Sequence, residues 1–130
     1  HIIDFLTALQ SNIFVIGSML SMPADKSFNI PVISEKDVNN LEKEIDNMES
    51  SLEPIINFIL PGSHSAISSA HLCRTVARRA ERRVVSLEKF AEIDPIIKKY
   101  LNRLSDYFFV LSRYLTHELG LQEVVWKPLK

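Results

Sequence analysis

Apolar residues recur at steps of three and four along most of this chain, and the recurrence stops at a few prolines and glycines. Ile2, Leu6, Leu9, Ile13, Ile16 and Leu20 predict a helix from Ile2 to Leu20, and Ile3, Phe5, Phe14 and Val15 widen its seam so that it touches more than one neighbour. The stretch from Ser21 to Ile33 holds two prolines and no helical period, which predicts a long connection able to cross the end of a bundle. Ser34, followed by Glu35 and Asp37, is a helix start with a capping hydroxyl and acids in the first turn. Val38, Leu41, Ile45, Met48 and Leu52 then mark a heptad that Pro54 closes, with Glu42, Lys43, Glu44, Asp46 and Glu49 on a solvated face. After the short apolar run Phe58-Ile-Leu-Pro-Gly62, Ser63, Ser65 and Ser68 are candidate caps for a third helix reaching about Glu88. Asp94-Pro95 opens a fourth, with Leu101, Leu104, Phe108, Leu111 and Leu115 inward, and Gly120 ends it. The tail from Leu121, with Trp126 and two valines, is expected to dock on the bundle.

These elements describe a single all-α domain over residues 1–130. A content of 46% hydrophobic residues with few glycines argues against disorder as a main feature, and a net charge of −1 argues against a general nucleic-acid binder. Asp4, Gln10 and Asn12 interrupt the first apolar stretch, which reads as a core helix rather than a membrane span. The single cysteine, Cys73, excludes an internal disulfide and fits a reducing, cytoplasmic setting; it falls on the apolar side of its helix. The chain opens at His1 already in helical pattern, so a preceding segment is expected.

Against this near-neutral background the third helix stands apart. Arg74 to Val85 carries five arginines and one glutamate in twelve residues. With about 100° between successive residues, Arg74, Arg78 and Arg82 form one stripe with Glu81 on its flank. Leu72, Val76, Ala80, Val84 and Leu87 gather on the other side, the side expected to be buried. Arginine forks match phosphate oxygens, and a carboxylate among them can orient an arginine or reach a phosphate-bound Mg²⁺. On the last helix Asn102, Asp106, Phe109 and Arg113 share a narrow arc beside the leucine seam. The pattern leaves two readings open: a ligand site, or a solvated face and a salt-bridge network that order the bundle. His64 and His71, with only Cys73 nearby, lack the ligand count of a zinc site.

Phe58-Ile-Leu-Pro-Gly62, Ser68-Ser-Ala-His-Leu-Cys-Arg-Thr-Val-Ala-Arg-Arg-Ala-Glu-Arg-Arg-Val-Val85 and Tyr100-Leu-Asn-Arg-Leu-Ser-Asp-Tyr-Phe-Phe109 closely resemble the PduO-type ATP:cob(I)alamin adenosyltransferases. The likeness extends more weakly to the first and second helices. It implies a ferritin-like up-and-down bundle with a long crossover, assembled as a homotrimer whose active sites lie between subunits. It implies transfer of the 5′-deoxyadenosyl group of ATP to the cobalt of reduced cobalamin, with Mg²⁺ as cofactor and possible hand-over to an adenosylcobalamin-dependent enzyme. By resemblance Arg78 and Asn102 contact ATP, and Glu81 lies near the phosphates or the metal. Arg74 pairs with an acid across the subunit boundary and Asp106 orients the arginine cluster, so that Arg74, Arg78, Arg82, Asn102 and Asp106 are the expected binding residues and Arg78, Glu81 and Phe58 the expected catalytic ones. Phe58 matches the phenylalanine on the lower corrin face, which keeps the axial base from cobalt. Two departures stand out: the family's Thr-Gly-Asp-type phosphate loop is absent from these residues, and Ser63-His64 follow Pro-Gly where a second glycine is common. The rival readings are a non-enzymatic module whose arginines dock an acidic partner or RNA, and a family member that mainly delivers corrinoid.

Overall fold

Local hydrogen bonds set the helix limits. The Asp37 carboxylate accepts from the Ser34 backbone N–H at 2.9 Å and from its hydroxyl at 3.2 Å, tying the first turn of a helix that starts at Glu35. Asp94 accepts from the Ile96 N–H at 3.0 Å, with Pro95 in the first helical turn. At the far end of that helix, the Gly120 N–H reaches the His117 carbonyl and the Leu121 N–H reaches that of Thr116, at 3.1 and 2.9 Å. Gly120 sits at φ 68°, the left-handed conformation this closure requires.

The computed structural model describes residues 1–21, 31–55, 57–62 and 64–129. They form α1 (Ile2–Ser21), α2 (Glu35–Glu49), α3 (Ser65–Leu87) and α4 (Pro95–Glu118), with two short strands, β1 (Ile59–Leu60) and β2 (Val124–Val125). The expected crossover between the first two helices falls largely on residues 22–30, outside the described ones. Pairing of Lys99 with Glu35 and of Arg103 with Glu42 climbs α2 and α4 together, so these two run parallel. Lys98–Glu88 and Asn102–Glu81 run in opposite senses, so α3 is antiparallel to α4. His1–Glu44 sets α1 antiparallel to α2. The face of α2 expected to be merely solvated thus carries an ion pair from Glu42 to α4 and a hydrogen bond between Glu44 and His1, just before α1.

Helix α4 is the axis of the bundle. Ile97, Tyr100, Leu101, Leu104, Tyr107, Val110 and Leu111 are buried in one cluster with Leu9 and Ile16 of α1 and Val38, Leu41, Ile45 and Met48 of α2. Ser105, Ser112 and Thr116 are buried too, and their hydroxyls donate back to carbonyls of the same helix, which lets them be covered without cross-helix partners. Close backbone approach to α4 is made by α3 and α2. Helix α1 meets α4 through side-chain ends instead: the Phe5 ring lies 5.3 Å from that of Tyr107, and Asn12 donates to the Tyr100 hydroxyl at 3.1 Å. By length and composition α1 could cross a bilayer. In the fold it supplies Leu9 and Ile16 to the common core while Ile3 and Phe14 face outward.

Three expectations are corrected here. The buried stripe of α3 is Ile67, Ala70, His71, Ala77 and Val84, whereas Leu72 is 65% and Val76 46% exposed and Leu87 is exposed as well. Only Val84 of the expected apolar face is fully buried, with Ala80 partly covered. The small side chains of Ala70 and Ala77 allow close packing on α4 and turn the helix so that the polar stripe of α4 meets polar residues of α3. Cys73 is exposed as a result. The cap of α3 is not a serine: His64 takes that role, its Nδ1 accepting from the Ala66 N–H at 3.0 Å, and Ser63 lies outside the described residues. The tail docks by β-pairing, Ile59 opposite Val125 and Leu60 opposite Val124, yet Trp126 remains 46% exposed.

Candidate active site

Because α3 is turned toward α4, the N-terminal part of its charged stripe borders α4, while Arg82 stays exposed outside the groove between them. Arg74, Arg78 and Glu81 from α3 and Asn102, Ser105, Asp106 and Phe109 from α4 line one cleft of about 490 Å³. Spacings of four and three on two antiparallel helices place all seven side chains along the same groove.

A chain of hydrogen bonds sets its geometry. Asn102 Nδ2 donates to Glu81 Oε2 at 3.1 Å, and Asn102 Oδ1 accepts from Arg103 at 2.6 Å. Arg103 Nε in turn donates to Glu42 at 3.2 Å, so the orientation of the Asn102 amide is fixed from α2. Arg74 is half-buried with its guanidinium carbon 5.6 Å from the centre of the Phe109 ring. Its Nε is buried and finds no acceptor among the described residues. Arg78 stands exposed at the mouth.

The electrostatics match this crowding. Asp106 lies at the open rim, and its carboxyl pKa is raised, first by desolvation against the helix walls and then by Glu81, with Arg103 and Arg78 opposing. Beneath the floor, buried His71 packs edge-on to Phe109 with ring centres 6.4 Å apart. Burial, and then the Arg74 charge, lower its pKa and favour neutral imidazole.

A second cavity, about 640 Å³ and mainly apolar, opens on the other side of Phe109 and is lined by Ile55, Asn57, Phe58, Trp126 and Pro128 as well. Phe58 is 77% exposed and stands edge-on to Trp126 at 5.9 Å. On composition alone Phe58 would be assigned to the core; in the structure it projects into this cavity.

The structure therefore brings together Arg74, Arg78, Glu81, Asn102 and Asp106 and sets Phe58 next door across Phe109. Arg82 is exposed and does not line the cleft, and Arg113 is buried elsewhere, donating to Glu123 at 3.0 Å and to the Glu53 carbonyl at 2.7 Å. Sequence reasoning missed Ser105 and Trp126 as lining residues and His71 as the support behind Phe109. Ser105 could have been found from its step of three after Asn102; Trp126 reaches the site only through long-range pairing of the tail.

The helical bundle thus sets a cleft of guanidinium and carboxylate groups against a mainly apolar cavity, with Phe109 lining both. The profile of the family described as cobalamin adenosyltransferase matches residues 1–115, and the chain belongs to that family. It is 40% identical over 126 residues to a corrinoid adenosyltransferase of Mus musculus, covering 94% of this chain and 53% of the relative. To a corrinoid adenosyltransferase of Bacillus subtilis it is 37% identical over 123 residues, covering 94% and 62%. Among solved structures, a variant PduO-type ATP:corrinoid adenosyltransferase from Lactobacillus reuteri complexed with cobalamin and ATP superposes with a TM-score of 0.89 at 32% identity. That match covers 96% of this chain and 70% of that one. The chain spans about half the length of the mammalian relatives it matches.

Proposed function

We propose that the protein transfers the 5′-deoxyadenosyl group of ATP to the cobalt of cob(I)alamin, yielding adenosylcobalamin and triphosphate. The observation that carries this reading is the adjacency of two unlike cavities with Phe109 as their common wall: one suited to phosphates, the other to an apolar macrocycle. In the reaction a Co–C5′ bond forms with the electron pair of cob(I)alamin, and the C5′–O bond breaks with its pair leaving on the triphosphate. Cob(I)alamin is itself the nucleophile, so the chain need not supply a base. Its tasks are to aim C5′ at cobalt and to stabilise the charge that gathers on the leaving group.

Arg78 at the mouth binds the phosphates, and Asn102, held by Glu81 and Arg103, offers a fixed amide to the nucleotide. Asp106 restrains the arginines from the rim. Arg74, half-buried at the cleft, would meet an acid of a neighbouring protomer with the part of its guanidinium that the chain leaves uncovered. Glu81 fits Mg²⁺: this ion usually takes one or two carboxylates with substrate phosphates and waters, and Glu81 acts electrostatically on a second carboxyl at Asp106. Bound there, Mg²⁺ would supply positive charge for the departing triphosphate. Phe58 fills the space below the corrin and denies it to the axial base. Support for the fit to ATP and corrinoid comes from the L. reuteri relative complexed with cobalamin and ATP.

Homotrimer formation, with sites shared between protomers, belongs to the same reading. The outward apolar residues Ile3, Phe14, Leu72 and Val76 are its contact surfaces, since side chains of this size left 46–78% exposed need cover. Cytoplasmic placement and delivery of product to an adenosylcobalamin-dependent enzyme are part of the proposal. Against the rival in which the arginine stripe captures RNA or an acidic protein stands the family match over residues 1–115. Incubating the protein with ATP, Mg²⁺ and reduced cobalamin should give the absorbance change of Co–C bond formation. No change at any protein concentration would sink the enzyme reading.

A further inference from the structure

Phe58 has an orientation problem. An aromatic ring 77% exposed has no core packing to hold it, and it sits just before a strand of two residues. The tail solves that problem. With Ile59 opposite Val125 and Leu60 opposite Val124, Phe58 and Trp126 come directly opposite each other, and the Trp126 N–H donates to the Phe58 carbonyl at 2.7 Å. Directly opposed residues on one face of a ladder touch. Here the rings meet edge-on, 5.9 Å apart with 82° between planes. On its other side Phe58 borders a shallower recess of about 340 Å³, and Phe58 and Trp126 are the two residues that line both spaces. The strap is anchored at its base by Arg113, which holds Glu123 of the tail and the Glu53 carbonyl of the opposite loop at once.

We propose that Trp126 is a positioning residue that acts through Phe58: the indole edge keeps the phenyl ring upright in the apolar cavity, where it displaces the axial base of the corrinoid. The proposal rests on the reading of that cavity given above. Without the indole the ring swings into the shallow recess, and the base returns to cobalt. Binding of ATP, on the far side of Phe109, is untouched.

A four-member cycle tests this: wild type, Phe58→Ala, Trp126→Ala and the double variant, with Trp126→Phe as the conservative replacement. The main readout is the ratio of base-detached to base-bound cob(II)alamin in the presence of ATP, taken from absorption and electron paramagnetic resonance spectra. Trp126→Ala should lower that ratio about three- to tenfold, the range expected for one aromatic pair. It should leave ATP affinity unchanged and add nothing in the Phe58→Ala background. Trp126→Phe should restore most of the ratio, and adenosylation of a corrinoid that lacks the lower base should not feel Trp126→Ala. Since Trp126 is the only tryptophan of the chain, quenching of its emission by cobalamin, but not by ATP alone, checks the placement independently of activity. An undiminished ratio in Trp126→Ala, or an equal further loss in the double variant, overturns the proposal while leaving the cavity reading intact. A wild-type protein that keeps the base on cobalt with ATP present overturns both.

Discussion

The two cavities that meet at Phe109 are built by different means. The polar one rests on α3 and α4, two long helices in close contact, and its side chains are fixed by a relay from Glu42 through Arg103 and Asn102 to Glu81. The apolar one is assembled from a connecting loop and the tail, held by two paired positions and one buried arginine. Under the proposed function the difference follows from what each would do. Stabilising developing charge demands donors fixed to fractions of an ångström, which helices supply, whereas an apolar macrocycle asks chiefly for shape, which a strapped loop can provide.

This contrast can be broken from either side. Arg78→Ala should weaken ATP binding about 100-fold by calorimetry, the upper range for a lost charged hydrogen-bonding group, with oligomeric state and melting temperature unchanged. Loss of assembly in that variant would mean that Arg78 holds structure, not nucleotide. Arg113→Leu acts on the other cavity: it strips partners from Glu123 and the Glu53 carbonyl and should cost about 2–3 kcal/mol in denaturant unfolding. Corrinoid binding should weaken with it while ATP affinity holds, and an equal loss of both would erase the proposed independence of the two sites.

Acidity probes the residue packed behind the shared wall. His71 is held neutral, its folded pKa below the ordinary 6.5, so the unfolded chain binds its proton more readily. Its contribution to stability is therefore full above pH 6.5 and is lost as pH falls through the folded value. Chemical melts from pH 7.5 to 5 should show that decline, and His71→Gln should flatten it; an unchanged slope would remove His71 as its source. The smallest effect is expected at Tyr107, whose hydroxyl is buried without a partner among the described residues. Tyr107→Phe should leave stability unchanged or raise it by up to about 1 kcal/mol, and a clear loss would reveal a hidden acceptor.

What could be read from the sequence was what neighbours in the chain decide. Ser34 with Asp37, Asp94-Pro95 and Gly120 marked helix limits because capping bonds span two to four residues. The grouping of Arg74, Arg78 and Glu81 with Asn102 and Asp106 was legible because helical spacing fixes which side chains align, and the family resemblance paired the two stripes. The orientation of α3 was not legible: Leu72 and Val76 looked like core, but which face is buried depends on how closely α4 can approach. His64 was passed over because imidazole is an uncommon cap. The pairing of β1 with β2 joins positions more than sixty residues apart through two-residue strands too short to show alternation.

The two alanines on the buried stripe of α3 carry a last implication. Ala70 and Ala77 lie in the common core, where their single methyl groups act as shims between the helices that wall the polar cleft. A bulkier side chain at either position would spread those helices and, under the proposed function, loosen every grip on the triphosphate at once, so the gauge of this machine is cut one helical turn away from its jaws.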